Sequence, residues 1–301
     1  MALGAAREAA ASQHYPQGAL YVTATPIGNL ADISLRALHL LQLADVIACE
    51  DTRHTQALLR AYGIDKAAPQ WLAVHQHNEA EAAQAVIGRL QQGQRVAYVS
   101  DAGTPAVSDP GARLVAAVRA AGLRAVPLPG ASSVTAVLSV AGIAGDQAGF
   151  VFAGFLPTKA GERDAAVALL AQEARAVVLL EAPHRIDALA RALAPLGDRG
   201  VTVGRELTKQ FEEVVTLPCA GLESWLAADA QHKRGEFALA LHAVPAAPRS
   251  DDGGRVLALL LAELPLKTAV KLAAEITGAP RNELYDAALQ LKAGSGDGGS
   301  A

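Results

Sequence analysis

From residue 19 to residue 128, short runs rich in β-branched or aromatic side chains alternate with stretches of helical spacing, which restricts the possible folds sharply. Strands are expected at 19–24, 45–49, 71–74, 95–100 and 124–128. Helices are expected at 34–43, where Leu35, Leu38 and Leu41 recur at helical spacing, and at 52–62, 79–91 and 110–121. Gly63 and Gly122 follow two of these, where a left-handed residue closes a helix. Asp109-Pro110 reads as the N-cap and first-turn proline of the last. Strands separated by crossover helices lie parallel, so the first half should be a parallel sheet sheathed by helices.

The second half changes rhythm. Strands at 150–155 and 176–181 are each followed by a helix, the second with Ile186, Leu189, Leu193 and Leu196 on one face. Strands at 201–206, 211–217 and 236–243 then come with one short helix at 224–230, which implies antiparallel pairing and a mixed sheet. Linkers are expected at 142–149 and 245–254, and three short helices at 255–264, 266–277 and 281–292. The expected organisation is a frayed tail at 1–17, an α/β domain at 18–142, a second at 149–245, a helical appendage at 251–292 and a disordered tail at 293–301.

Several function classes drop out on composition. The formal net charge of -4 is incompatible with a uniformly electropositive body, so any nucleic-acid surface must be local. The two cysteines, Cys49 and Cys219, are far apart and outside any CxxC spacing, as expected of a reduced protein without a structural zinc. Cys49 lies in an apolar strand and reads as packing. His75-Gln76-His77 lacks a third ligand at metal spacing, and no metal is expected. The first residues have neither the apolar core of a signal peptide nor a basic leader, and no apolar run is long enough to span a bilayer, so a cytoplasmic location is expected.

Three loops follow strands at the end of the first domain where open α/β sheets bind ligands. Thr25-Pro26-Ile27-Gly28-Asn29-Leu30 is neither GxGxxG nor a P-loop, and a tight turn competes evenly with a ligand role. Ser100-Asp101-Ala102-Gly103-Thr104-Pro105, with Ser108-Asp109-Pro110-Gly111 beyond it, has more turn chemistry than a strand-to-helix connection needs. Pro129-Gly130-Ala131-Ser132-Ser133 either caps a helix or offers donors to a carboxylate at a helix start. Three polar clusters also sit at strand ends: Glu50 to His54, Glu181 to Arg185, and Gly204 to Lys209. The first could be an ordinary capped helix start and the other two solvated loop tips, or each could be part of a site.

Taken in order, seven segments resemble the tetrapyrrole methylase superfamily. They are YVTATPIGNLADISLRAL from Tyr21, CEDTRHT from Cys49, YVSDAGTPAVSDPG from Tyr98, PLPGASS from Pro127, FAGFLP from Phe152, LLEAPHR from Leu179 and VGRELTK from Val203. TPIGNL replaces the Gly- and Asp-rich loop of other branches, and Gly103-Thr104-Pro105 replaces their Gly-Asp-Pro. Both departures resemble the RNA-modifying branch, which 2′-O-methylates the ribose of a decoding-centre cytidine in 16S rRNA. The resemblance implies two α/β domains with a cleft between them that holds S-adenosyl-L-methionine, lined by Pro26, Ala102, Gly103, Thr104, Val107, Ser132, Ser133, Glu181 and Leu207. It also implies a homodimer acting on the small ribosomal subunit. The C-terminal helices resemble a helix-turn-helix appendage, but acids there match bases, which favours ribosome docking over DNA.

Ribose methylation requires alignment, exclusion of water and a base for the hydroxyl proton. Asp101, Asp51, Glu181 and Glu206, with His54 and His184, are the candidates, led by Asp101, Glu181 and His184. Arg53, His54, Arg185, Arg205 and Lys209 are expected to hold RNA. Rival readings are a methylase of the same superfamily acting on a tetrapyrrole or a protein side chain, and a non-catalytic RNA-binding assembly factor.

Overall fold

The computed structural model describes residues 2–75, 78–143, 149–244 and 252–294. In the first lobe, β1 (Ala19–Thr23), β2 (Val46–Cys49), β3 (Trp71–Ala73), β4 (Val96–Val99) and β5 (Arg124–Leu128) form a sheet of order β3-β2-β4-β1-β5. All neighbours are parallel. Helices α1 (Ala2–Ala11), α2 (Leu35–Leu43), α3 (Thr52–Ala61), α4 (Glu79–Gln91), α5 (Ala112–Ala120) and α6 (Ser133–Val140) accompany it. One core layer gathers Tyr21, Leu40, Leu41, Ile47 and Leu59, and another Leu20, Val86, Leu90, Tyr98 and Leu114. Burial on both faces is why β2 and β4 are uninterrupted apolar runs. Ser34 caps α2 through the Ala37 N–H, and Gly63 and Gly122 take the expected left-handed conformation after α3 and α5.

Two local expectations are corrected. Asp109 does not cap α5: the N-cap is Gly111, at φ 124°, and the cap acceptor comes from another helix. Oε1 of the buried Glu79, at the start of α4, accepts from the N–H groups of Gly111 (3.0 Å), Arg113 (3.1 Å) and Leu114 (3.3 Å). A carboxylate there meets both the unsatisfied donors and the positive end of the helix dipole. The N-terminus is not a frayed tail throughout, because the alanine-rich stretch forms α1 and buried Tyr15 follows it, donating from its hydroxyl to Ala10 O at 2.9 Å. Alanine's helix propensity and one aromatic anchor account for that order.

In the second lobe, β6 (Phe150–Gly154), β7 (Ala176–Glu181), β8 (Gly200–Arg205), β9 (Glu213–Pro218) and β10 (Phe237–Leu241) form a sheet of order β6-β7-β10-β8-β9. Only β6 and β7 run parallel; the other pairs are antiparallel, making the expected mixed sheet. Helices α7 (Ala160–Ala171), α8 (Ile186–Leu193) and α9 (Leu222–Ala228) cover it. The two lobes share a core layer: Val134 and Val137 of α6 cluster with Val178, Leu207, Ala238 and Ala240. The segments up to Ala171 and from Arg175 to Ala243 accordingly form one compact unit.

A second unit holds α10 (Asp252–Glu263), α11 (Leu266–Thr277) and α12 (Arg281–Gly294), built around Leu257, Ala269, Val270, Ala273, Leu284 and Ala288. Gly278, at φ 68°, closes α11. Residues 144–148 and 245–251 of the two expected linkers, Gln76-His77, and the tail from 295 onward lie outside the described residues; Ala293 and Gly294 belong to α12. Among the described residues no helix is long and apolar enough to cross a membrane.

Candidate functional site

The loops after β1, β4 and β5 are stitched to one another. Thr25 and Gly103 exchange backbone hydrogen bonds at 2.9 and 3.1 Å. Thr25 Oγ1 donates to Ser100 O at 3.2 Å, and Thr104 Oγ1 donates to Ala131 O at 3.1 Å. A Cβ on Gly130 would stand 2.9 Å from Ala24 Cβ, so glycine is what lets the β5 loop close against the end of β1. The hydroxyl of Ser100 is likewise turned inward, toward the carbonyls of Ala102 and Gly103. Several hydroxyls that looked like ligand donors therefore hold the loops together.

These loops form one wall of a cleft of about 280 Å³. Ile27, Ala102, Gly103, Thr104, Val107, Ser108, Asp109 and Ser132 to Val134 line it from the first lobe. Phe155, Leu180 to Pro183, Gly204, Glu206, Leu207, Lys209 and Glu236 to Ala238 line it from the second. Its charged lining consists of four carboxylates, Asp109, Glu181, Glu206 and Glu236, and one ammonium, Lys209. Such a lining favours a compact cation over a polyanion. Ser132 is the N-cap of α6 but makes no side-chain capping bond, so its hydroxyl stays available at a helix start. The three non-glycine residues with positive φ among the described ones, Ala106, Glu206 and Thr208, all lie on loops bordering the cleft. Backbone strain of this kind concentrates at functional sites.

Glu181 ends β7 and is almost wholly buried. Its Oε1 accepts from Arg185 Nε at 3.0 Å and from the Ala182 N–H at 2.9 Å, while its Oε2 is buried without a hydrogen-bond partner. Arg185 also donates to Leu156 O. In the same wall, Lys209 Nζ is held by Glu206 Oε1 at 2.7 Å and Glu236 Oε2 at 2.8 Å. Burial opposes the ionisation of Glu206, but bonds from Lys209 and the Glu236 N–H outweigh it and hold the carboxyl below its ordinary value. Burial likewise opposes the charge on Lys209, and the two carboxylates outweigh it, raising the ammonium. Asp109 shifts the other way: burial, reinforced by the charge of Asp101, raises its carboxyl despite a bond from Ser100.

Of the residues expected to touch cofactor, Ala102, Gly103, Thr104, Val107, Ser132, Ser133, Glu181 and Leu207 line this cleft. Pro26 is buried behind it, and Ile27 stands in the wall. The proton-transfer candidates separate. Glu181 faces the cleft, whereas Asp101 lies outside the lining and accepts from the Asp51 N–H at 3.3 Å. His184 is exposed and outside the lining.

The basic residues separate as well. Arg53 and His54 are exposed at the start of α3, with Arg53 paired to Asp51 at 3.3 Å. Arg205 is buried against Glu213 at 2.9 Å, and Arg185 supports Glu181, so both are engaged inside the protein. Lys209 lines the cleft within its carboxylate pair. The buried Cys49 thiol, pushed up to about 11 chiefly by burial, fits the packing role expected of it. Sequence reasoning missed Asp109, Glu236 and Phe155 as cleft residues. The only hints were the turn cluster holding Asp109 and the FAGFLP segment holding Phe155.

Comparison with known proteins agrees with this architecture. Residues 19–223 match the family model described as Tetrapyrrole (Corrin/Porphyrin) Methylases, and residues 247–292 match the RsmI C-terminal HTH domain. The chain is 47% identical over 288 residues to ribosomal RNA small subunit methyltransferase I of Neisseria meningitidis serogroup A, covering 94% of this chain and 97% of that protein. It is 47% identical to the protein of the same name from Escherichia coli O157:H7, covering 91% and 96%. Among solved structures, cobalt precorrin-4 methyltransferase aligns with a TM-score of 0.54 at 19% identity, covering 76% of this chain and 98% of that one. Diphthine synthase aligns with a TM-score of 0.55 at 16% identity, covering 74% and 90%. At such identity these two likenesses speak for the fold alone. By cleft, topology and sequence together, the chain belongs to the tetrapyrrole (corrin/porphyrin) methylase family and, within it, to the ribosomal RNA small subunit methyltransferase I group.

Proposed function

We propose that this protein is an S-adenosylmethionine-dependent methyltransferase that 2′-O-methylates the ribose of a decoding-centre cytidine in 16S rRNA. The observation that carries the reading is the cleft itself, whose acid-rich lining includes the buried Glu181 and stands against loops of small residues. The donor set fits the cofactor. Asp109, Glu206 and Glu236 favour a sulfonium and an amine, and the open start of α6 at Ser132 and Ser133 favours a carboxylate. Ala102, Gly103 and Thr104 would hold it from the first lobe, and Leu207 from the second. When bound, S-adenosylmethionine supplies an activated methyl group together with a neutral leaving group.

The chain's own residues do the rest. Glu181, which lines the cleft, takes the proton of the ribose 2′-hydroxyl through the oxygen that has no partner in the fold, and Arg185 holds the other carboxylate oxygen in place. Leu180, Leu207, Phe237 and Ala238 provide an apolar back wall that excludes water. Arg53 and His54, exposed at the same end of the first sheet, meet the RNA backbone outside the acidic cleft. The same reading includes a homodimer with the small ribosomal subunit as its partner.

Small subunits incubated with methyl-labelled S-adenosylmethionine test it, with nucleoside mass spectrometry of the 16S rRNA as readout. One 2′-O-methylcytidine is expected. Label on a base, or on a porphyrinoid and not on rRNA, overturns the reading.

A further inference from the structure

Two aromatic rings stand in the cleft wall, and they are treated differently by the fold. Phe237 is buried in β10, whereas Phe155, just after β6, is 51% exposed. That exposure is built. The pairing of β6 with β7 shifts register between Phe152 and Gly154, and Gly154 takes φ 64°. A bulge of this kind re-aims the side chains that follow it. The next residue, Leu156, returns to the core, and its carbonyl accepts from Arg185, the residue that also holds Glu181 Oε1. One guanidinium thus ties the backbone beside Phe155 to the carboxylate that faces the cleft.

We propose that Phe155 is the stacking platform for the nucleobase of the acceptor nucleotide, kept in register with Glu181 by Arg185. The proposal rests on the rRNA reading above and adds how the acceptor is held. A cleft lined by four carboxylates and one lysine repels phosphate, so the nucleotide delivered there needs an uncharged contact. A base swung out of its stack offers one, because every base has a π face that an exposed aromatic ring can cover. A half-open ring at the wall also suits a ligand that arrives from solution and leaves after each turnover.

The full-length protein and its Phe155→Ala, Phe155→Leu and Phe155→Trp variants test this on unmethylated small subunits, alongside calorimetric titration of S-adenosylmethionine. Phe155→Ala is expected to raise KM for the subunits by roughly five- to a hundredfold. Phe155→Leu should behave like alanine more than like the wild type, Phe155→Trp should restore binding, and cofactor affinity should stay within about twofold throughout. An unchanged KM in Phe155→Ala overturns the stacking role. So does a loss of cofactor affinity that tracks the loss of activity, which would give the ring to the cofactor. A change of oligomeric state in Phe155→Ala also overturns it, by assigning the ring to a second copy. If the unsubstituted protein leaves the rRNA unmethylated, the activity reading fails and this proposal falls with it.

Discussion

Lys209 lies across Gly28: a Cβ built on Gly28 would stand 2.3 Å from Lys209 Cγ and 3.0 Å from its Cε. The first loop of one lobe and the charged loop of the other therefore touch through a lysine stem whose ammonium is fixed by Glu206 and Glu236. The colliding atom is in the middle of the side chain, so a methyl group at position 28 cannot be absorbed by moving the tip alone. Gly28→Ala is expected to displace Lys209, cost about 1–3 kcal/mol of stability as overpacking does, and lower kcat/KM. A double-mutant cycle with Lys209→Ala checks the cause. The penalty of Gly28→Ala should largely vanish once the stem is gone, and a penalty that persists would place the strain elsewhere.

Glu181→Gln keeps the shape of the side chain and removes the base. Its kcat on small subunits is expected to fall by about a hundredfold or more, with little change in cofactor affinity. Parallel calorimetry and single-turnover rates decide the matter: weakened cofactor binding with an intact chemical step would make Glu181 a cofactor ligand instead.

Asp109 carries a stability cost that the protein keeps. Its carboxyl is raised in the folded state, first by burial and then by Asp101, so ionising it is harder there than in the unfolded chain. Stability is therefore lost as pH climbs from the ordinary carboxylate value of 3.8 through the higher folded one. Asp109→Asn is expected to raise Tm at pH 7 by about 2–4 °C, and the gain should fade below about pH 4, where the wild-type carboxyl is protonated in both states. The same variant should bind S-adenosylmethionine more weakly, since it removes one of the four cleft carboxylates. Thermal scans at the two pH values and calorimetry read both effects.

Glu79 should matter to stability well beyond one surface acid. It satisfies three N–H groups at the start of α5 from the start of α4, and it is buried. Glu79→Ala leaves those donors without an acceptor and is expected to destabilise by about 2–3 kcal/mol. Glu79→Gln, which keeps an acceptor oxygen but not its charge, should lose less. Urea denaturation at neutral pH gives both values, and equal losses would show that the hydrogen bonds contribute little beyond the charge.

Much of the scaffold was legible in the chain. β-branched or aromatic-bearing runs marked the ten strands found among the described residues, and Leu35, Leu38 and Leu41 marked α2, because those patterns answer to neighbours a few residues away. The expected cofactor residues, Pro26 excepted, do meet in one cleft, since each sits at or just beyond the end of a strand whose position follows from strand order. Misreadings arose where the folded chain supplied a partner that a linear reading does not pair, whether distant or only a turn away. Asp109 looked like a cap, but the acceptor is Glu79, about thirty residues earlier. Arg205 and Arg185 looked free to grip phosphate, yet Glu213 and Glu181 engage them in the folded chain.

By itself, the sequence determined the alternation of strands and helices, the order of the glycine-bearing turns and the family to which they belong, all properties of short segments read one after another. Only the tertiary structure decided which polar atoms already have partners. It left Glu181 Oε2 bare, turned the hydroxyls of Ser100 and Thr25 inward, and brought Phe155 out on a bulge. The reason is physical: a side chain's freedom to meet a ligand depends on whether the fold has already supplied it a partner, and which neighbour, near or distant, comes within reach is set by the backbone path and not by the residue type.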